Sequence, residues 1–187
     1  MKRLIAAIDR LTELVGRAVS WLALLLVVVG SWNALARVVD RQTGSSLSAN
    51  TWLEGGWYLF AALFLFAAAW ALKNDAHVRV DIFYARFSPR GKAWVDFLGS
   101  FLLLIPFCLF ILWAVWPSVA TSWRIREMSP DPGGLSRWPI RAALPAAIVL
   151  LLLQGFANGV KAWWRLRGKV VDDVENDADA SGNGVTV

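Results

Sequence analysis

Four long stretches of this 187-residue sequence are almost free of charged side chains. Each is close to the roughly 20 residues that an α-helix needs to cross the hydrocarbon core of a bilayer. Because lipid offers the backbone no hydrogen-bond partner, a crossing segment must be helical throughout. The sequence therefore predicts an all-α integral membrane protein with four transmembrane helices, over residues 18–36, 55–72, 94–116 and 139–160.

The segment before the first span has a different pattern. Its apolar residues recur at helical spacing, at Leu4, Ile8, Leu11 and Val15, and charged residues occupy the remaining surface. This pattern predicts an amphipathic helix on the cytoplasmic membrane surface over residues 1–17. The alternative is a cytosolic extension of the first span.

The end of the chain lacks any apolar periodicity. Residues 165–187 follow the predicted membrane domain, residues 18–164, and from Asp172 onward they are acidic and rich in small side chains. Such a composition cannot bury enough apolar surface to fold. We therefore expect a largely disordered cytoplasmic tail.

Lys and Arg are distributed unevenly among the segments outside the spans. The N-terminal segment, the middle connection and the residues from Lys161 onward carry 13 of the 19, whereas the other two connections carry five. Because positive residues collect on the cytoplasmic side, both termini are predicted to be cytoplasmic. The same residues explain the net charge of +5, so we expect a lipid bilayer and no nucleic acid as partner.

The residues that usually hold cofactors are scarce. The chain has one Cys and one His, Cys108 and His77, which cannot form an intrachain disulfide or a bis-His haem site. No acidic residue lies at mid-membrane, where ion-coupled carriers keep such a group. We therefore expect no cofactor, no metal, no enzymatic site and no conducting role. The alternatives are an autonomous small carrier and a membrane-anchor subunit of another complex.

Two prolines mark the third span. Pro106 lies in its middle and predicts a kink, because proline removes a helical hydrogen bond and crowds the preceding turn. Pro117 is predicted to mark the end of this helix.

The fourth span ends in a motif of amides and glycines, at Gln154, Gly155, Asn158 and Gly159. Glycines four residues apart allow another helix to approach closely, and the amides can form hydrogen bonds across such a contact. These four residues are predicted to serve helix packing. The partner is either another helix of this chain or a different protein.

The connection over residues 118–138 combines indoles, charges and turn residues. Trp123, Arg126 and Glu127 precede a run of two prolines and two glycines, which predicts an irregular loop. Mixed charges and indoles suit a docking surface, and an ordinary surface loop is the alternative. In the middle connection, His77 and Asp81 are interpreted as a structural pair, since a metal site needs more ligands.

Four segments together resemble the small membrane subunit, of the DctQ type, of the tripartite ATP-independent periplasmic (TRAP) transporters. They contain Asn33 and Arg37; Asn50, Trp52 and Glu54; residues 75–81 with His77 and Asp81; and Glu127, Ser129, Pro132, Gly133, Gly134 and Leu135. The last segment is similar to the subgroup named for α-keto acids, mannitol or chloroaromatic compounds. The resemblance covers about residues 18–164.

The resemblance implies a division of labour in the bacterial inner membrane. A large DctM-type subunit would carry the substrate and sodium sites, and a periplasmic DctP-type protein would deliver a small organic acid. This chain would be the fixed scaffold. Trp123, Arg126 and Glu127 would contact the binding protein or the large subunit, and His77 with Asp81 would brace the middle connection.

Overall fold

A computed structural model describes residues 1–45, 49–76 and 87–168. Within these ranges the chain forms four long helices and no strand, apart from one isolated bridge between Met128 and Ser136. Each helix is long and apolar enough to cross a membrane, which confirms the predicted all-α, four-span class. The helices are α1 (Lys2–Thr43), α2 (Asn50–Lys73), α3 (Pro89–Ile125) and α4 (Arg137–Leu166). The predicted His77–Asp81 pair and most of the predicted tail lie outside the described residues.

The N-terminal segment is continuous with the first span. α1 is one helix of 42 residues, about 63 Å long at 1.5 Å per residue. Ile5, Ile8 and Thr12 are buried, and the two isoleucines pack with Ala157 and Val160 of α4. Residues 2–17 are therefore the first part of the same helix as the span, while Leu4 and Leu11 of the predicted apolar face are exposed. The position of this segment on the cytoplasmic membrane surface stays a prediction.

α3 changes its winding near its middle. Residues Gly99–Leu104 are π-helical, and Pro106 is the second residue after them. A wider turn moves backbone carbonyls away from the proline ring, which would otherwise collide with the preceding turn. The prediction that Pro117 ends the helix was wrong, since α3 continues to Ile125. Prolines are tolerated inside membrane helices when neighbouring groups bond the freed carbonyl.

α4 is the central helix of the molecule. It contacts each of the other three helices, whereas α1 and α2 pack side by side. Among the described residues, α3 packs extensively against α4 alone. We call the end with the α1–α2 and α3–α4 connections the loop end, and the opposite end the terminal end.

A hydrogen-bonded network ties three helices together in the half of the membrane domain nearest the terminal end. Gln154 is fully buried, and its Oε1 accepts from the Thr12 hydroxyl at 2.8 Å. Its Nε2 donates to Asp9 and to Asn158, both at 3.0 Å. The Asn158 amide donates in turn to the Leu72 carbonyl at 3.0 Å. α4 is therefore bonded to α1 and α2 through polar side chains.

Ion pairs surround this network. Lys161 Nζ lies 2.6 Å from Asp9 Oδ2, and Lys73 Nζ lies 2.8 Å from Glu13 Oε2. Arg17 also pairs with Glu13, at 3.1 Å. Each pair apart from the last joins two helices, so charges near the terminal end serve helix contacts as well as solubility.

The two glycines of the α4 motif lie against α3. A Cβ at Gly155 would overlap the Leu104 side chain, and a Cβ at Gly159 would overlap the Phe101 ring and approach Ser100. α3 can approach α4 this closely only because both positions lack a side chain. The amides of the motif thus form hydrogen bonds with α1 and α2, and its glycines allow close packing with α3. All of these contacts lie within this chain.

The contact at Gly159 can be tested by adding one methyl group. We expect Gly159→Ala to destabilise the packing of α3 on α4 by about 1–3 kcal/mol, because the aromatic ring must move. The midpoint of thermal unfolding in detergent, followed by tryptophan fluorescence, should fall by roughly 2–10 °C. Gly99→Ala is the control, since nothing lies within 4 Å of a Cβ there. Equal midpoints for the two variants would contradict the assignment.

Candidate functional site

The connection between α3 and α4, residues 126–136, folds back on itself at the loop end. Arg126 ends α3 with a left-handed backbone, φ 51°, and the Glu127 amide donates to the Ser122 carbonyl at 3.0 Å. The Ser129 amide then donates to the Leu135 carbonyl, also at 3.0 Å. This α3–α4 loop is therefore a compact turn held by its own backbone.

A buried carboxylate fixes the α3–α4 loop to α2. Glu54 lies in the first turns of α2 and is 1% exposed. Its Oε1 accepts from the Ser129 hydroxyl, and its Oε2 accepts from the Leu135 amide at 2.6 Å. Hydrogen bonds to an ionised acceptor are stronger than those between neutral groups. The Glu54 carboxylate thus joins α2 to the loop by accepting hydrogen bonds from one loop side chain and one loop backbone amide.

The two glycines of the loop are required by its geometry. Gly133 adopts a left-handed backbone, φ 72°, and its carbonyl accepts from the Thr51 hydroxyl of α2. A Cβ at Gly134 would overlap Ser129 and approach the Glu54 carboxylate. The Pro-Gly-Gly run predicted to be a turn therefore also allows the close approach to α2.

Two indoles and a guanidinium form the exposed side of the site. The Trp123 and Trp138 rings meet edge to face at 4.6 Å, and the Arg126 guanidinium lies 4.8 Å from the Trp138 ring centre. It lies 5.8 Å from the ring centre of Trp123. Such stacking contributes about 0.5–1 kcal/mol at an exposed site, which offsets part of the cost of the left-handed backbone.

Glu127 is engaged within the chain. Its carboxylate lies 3.0 Å from the Arg141 guanidinium, which also donates to the Ser118 hydroxyl at 3.0 Å. The structure therefore brings the three predicted docking residues together, but they differ in exposure and in pairing. Arg126 and Trp123 are exposed, whereas Glu127 is paired and its side chain is 21% exposed.

The other predicted signature residues do not join this cluster as a single site. Trp52 meets Trp32 of α1 edge to face, with ring centres 6.5 Å apart. Asn33 and Arg37 line a shallow groove on α1 beside Leu53 of α2. Within the described ranges, no group of three His, Cys, Asp or Glu side chains is placed to hold a metal ion.

Sequence reasoning missed the partners of the predicted residues. Ser129 lies 75 positions from Glu54, and Arg141 lies on a different helix from the Ser118 hydroxyl that it contacts. One signal was available. A glutamate beside the start of an apolar span must find donors when it is buried, and the turn-rich connection is the segment that supplies them.

Residues 53–165 match the family model of tripartite ATP-independent periplasmic transporters, DctQ component. The match begins in α2, includes α3 and ends in the last turn of α4, and so contains most of the α3–α4 loop contacts described above. A search of curated proteins finds no match to the chain.

The role of Glu54 predicts how the α3–α4 loop responds to its loss. We expect Glu54→Ala to free the loop, because the Ser129 hydroxyl and the Leu135 amide lose their acceptor. Tryptic cleavage of the folded, detergent-solubilised chain after Arg126 should become several-fold faster. Asp131→Ala is the control, since this exposed carboxylate lies on the same loop. Equal cleavage rates in Glu54→Ala and the parent chain would refute the role of Glu54.

Proposed function

Because the chain belongs to the DctQ component family of tripartite ATP-independent periplasmic transporters, we propose that it is the fixed scaffold of its transporter and helps to dock the periplasmic binding protein. As a DctQ component it is a small membrane subunit in the bacterial inner membrane, and it is not an enzyme. It works with a DctM and a DctP component.

We further propose that the transporter is sodium-coupled and imports small organic acids of the carboxylate or α-keto acid class. The support is the similarity of Glu127, Ser129 and the Pro-Gly-Gly-Leu run to one subgroup of the family. The four apolar spans also contain no Asp, Glu, Lys, Arg or His at mid-membrane depth. Ion and substrate binding are therefore assigned to the large component.

One observation carries the docking role: hydrogen bonds and an ion pair hold the α3–α4 loop in place, while Arg126 and the adjacent Trp123 of α3 are exposed. Glu54 and Thr51 of α2 bind one side of the loop, and the Glu127–Arg141 pair binds its base. A surface that is already ordered loses little conformational entropy when a partner binds. Trp123 is 48% exposed there, and tryptophan and arginine are the residue types that dominate binding energy.

The docking role also requires the loop end to face the periplasm. The support for this orientation is the excess of Lys and Arg in the segments at the terminal end. The two connections at the loop end carry five of the 19 positive residues.

Arg126 allows a docking test that preserves the fold. In Arg126→Gly the guanidinium is lost, yet glycine suits the left-handed backbone at this position. We expect uptake by the reconstituted three-component transporter to fall several-fold at low concentrations of binding protein and to recover at high ones. The yield of the membrane complex should stay the same. Arg124→Ala, which removes an exposed cation from the same turn, is the control and should leave uptake unchanged.

The same assay separates docking from bracing at Glu127. Glu127→Arg places two cations together and should lower uptake. Adding Arg141→Glu restores an ion pair of reversed polarity. Uptake that stays low in the double variant supports a contact with the binding protein, whereas full recovery would limit Glu127 to bracing the loop. Unchanged uptake in both Arg126→Gly and Glu127→Arg would refute the docking role.

The orientation can be tested by labelling single cysteines. Replacing Cys108, which is buried, by Ala gives a background without thiols. We expect a membrane-impermeant maleimide to label Ser45→Cys in intact cells, but to label Arg167→Cys only after the membrane is opened. Both residues are exposed, so accessibility within the chain does not differ between them. The opposite labelling pattern would place the loop end in the cytoplasm.

A further inference from the structure

One face of α1, in the half nearest the loop end, is largely uncovered by the described chain: four of its residues are exposed, and Asn33 is partly buried in a groove that Leu53 of α2 also lines. Its residues recur at spacings of three and four, which places them on one side of the helix. We call this face the α1 stripe; it consists of Gly30, Asn33, Ala34, Arg37 and Arg41.

The polar groups of the α1 stripe have no partner among the residues that the structure describes. Asn33, Arg37 and Arg41 form no hydrogen bond or ion pair there. The amides of α4 differ, since Gln154 and Asn158 are both bonded to other helices. Asn33 lies about one turn inside the predicted end of the first span, and an unsatisfied amide in hydrocarbon is costly.

The small residues of the stripe are also unused within the chain. A Cβ at Gly30 would meet no atom within 4 Å, whereas one at Gly16, on the same helix, would overlap the Trp70 indole. Gly30 and Ala34 are four residues apart and exposed, an arrangement that permits close approach of a second helix. Gly16, and not Gly30, is therefore the α1 glycine that allows close packing against α2.

The exposed face of α3 shows what a lipid-facing surface of this chain looks like. Leu102, Leu103, Phe107, Phe110 and Trp113 are each at least 60% exposed, and all are apolar. Acyl chains satisfy such a face completely. They form no hydrogen bond with an amide such as that of Asn33. Lipid headgroups can contact Arg37 and Arg41 at the interface, but they do not explain the absence of a side chain at Gly30.

We propose that the α1 stripe is the docking surface for the large membrane component of the transporter. The partner is a transmembrane helix that packs on Gly30 and Ala34 and presents a carboxylate or free carbonyl to the two arginines. A negative or acceptor-rich helix complements the positive charges of Arg37 and Arg41, which form no ion pair with any residue that the structure describes. The inference extends the proposed scaffold role by naming the surface through which the scaffold holds its partner.

The test uses one substitution on two helix faces. Ala34→Leu adds bulk to the α1 stripe, and Ala114→Leu adds the same bulk to the exposed face of α3. We expect Ala34→Leu to lower the amount of large component that co-purifies with the tagged chain by roughly tenfold, which corresponds to 1.4 kcal/mol. Ala114→Leu should co-purify normally. Because the stripe is unused inside the chain, the unfolding midpoint of the isolated chain should be the same in both variants.

Two further variants address the polar contacts. Asn33→Leu and Arg37→Glu should each reduce co-purification, and Arg37→Glu should do so more strongly because it reverses the charge. Normal co-purification in Ala34→Leu and Arg37→Glu would overturn the inference, and loss in Ala114→Leu alone would move the docking surface to α3. The proposed scaffold role is judged separately: it fails if the parent chain captures no large component.

Discussion

The structure depends on the need to satisfy polar groups where no water is available. Gln154 is buried at the centre of three helices, and every hydrogen bond that it makes leads directly or through Asn158 to another segment of the chain. α4 can therefore serve as the common neighbour of α1, α2 and α3. An adjacent face is kept free of side chains at Gly155 and Gly159, so polar bonding and close packing occupy different faces of one helix.

Much of the fold could be predicted because hydrophobic length decides what crosses a bilayer. Which helices pack against each other could not be predicted. The hydrogen bond between Thr12 and Gln154, for example, joins residues 142 positions apart, and no local pattern pairs them. The N-terminal segment shows the same limit. Its amphipathic pattern suits a membrane surface and a packed helix equally, and no local pattern pairs Ile5 and Ile8 with α4.

The residue types of the candidate site could be predicted from the sequence, but the contacts between these residues could not. The turn over residues 126–136 and the flanking indoles of Trp123 and Trp138 follow from the sequence, but the bond from Ser129 to Glu54 does not. The left-handed backbone of Arg126 was also hidden, because arginine rarely adopts it without surrounding contacts. The proposed docking roles rest on two features: a hydrogen-bonded loop at one end of the molecule and a face of α1 that the described residues leave largely uncovered.

The central position of α4 also has a consequence for biosynthesis. A ribosome that makes 5–20 residues per second needs on the order of ten seconds between Thr12 and Gln154. Throughout that interval α1 and α2 can pair. Asp9, Thr12 and the Leu72 carbonyl, however, still lack the hydrogen bonds that the side chains of α4 provide in the complete fold. The polar contacts that join α1 and α2 to α4 therefore form only after the final helix has been inserted.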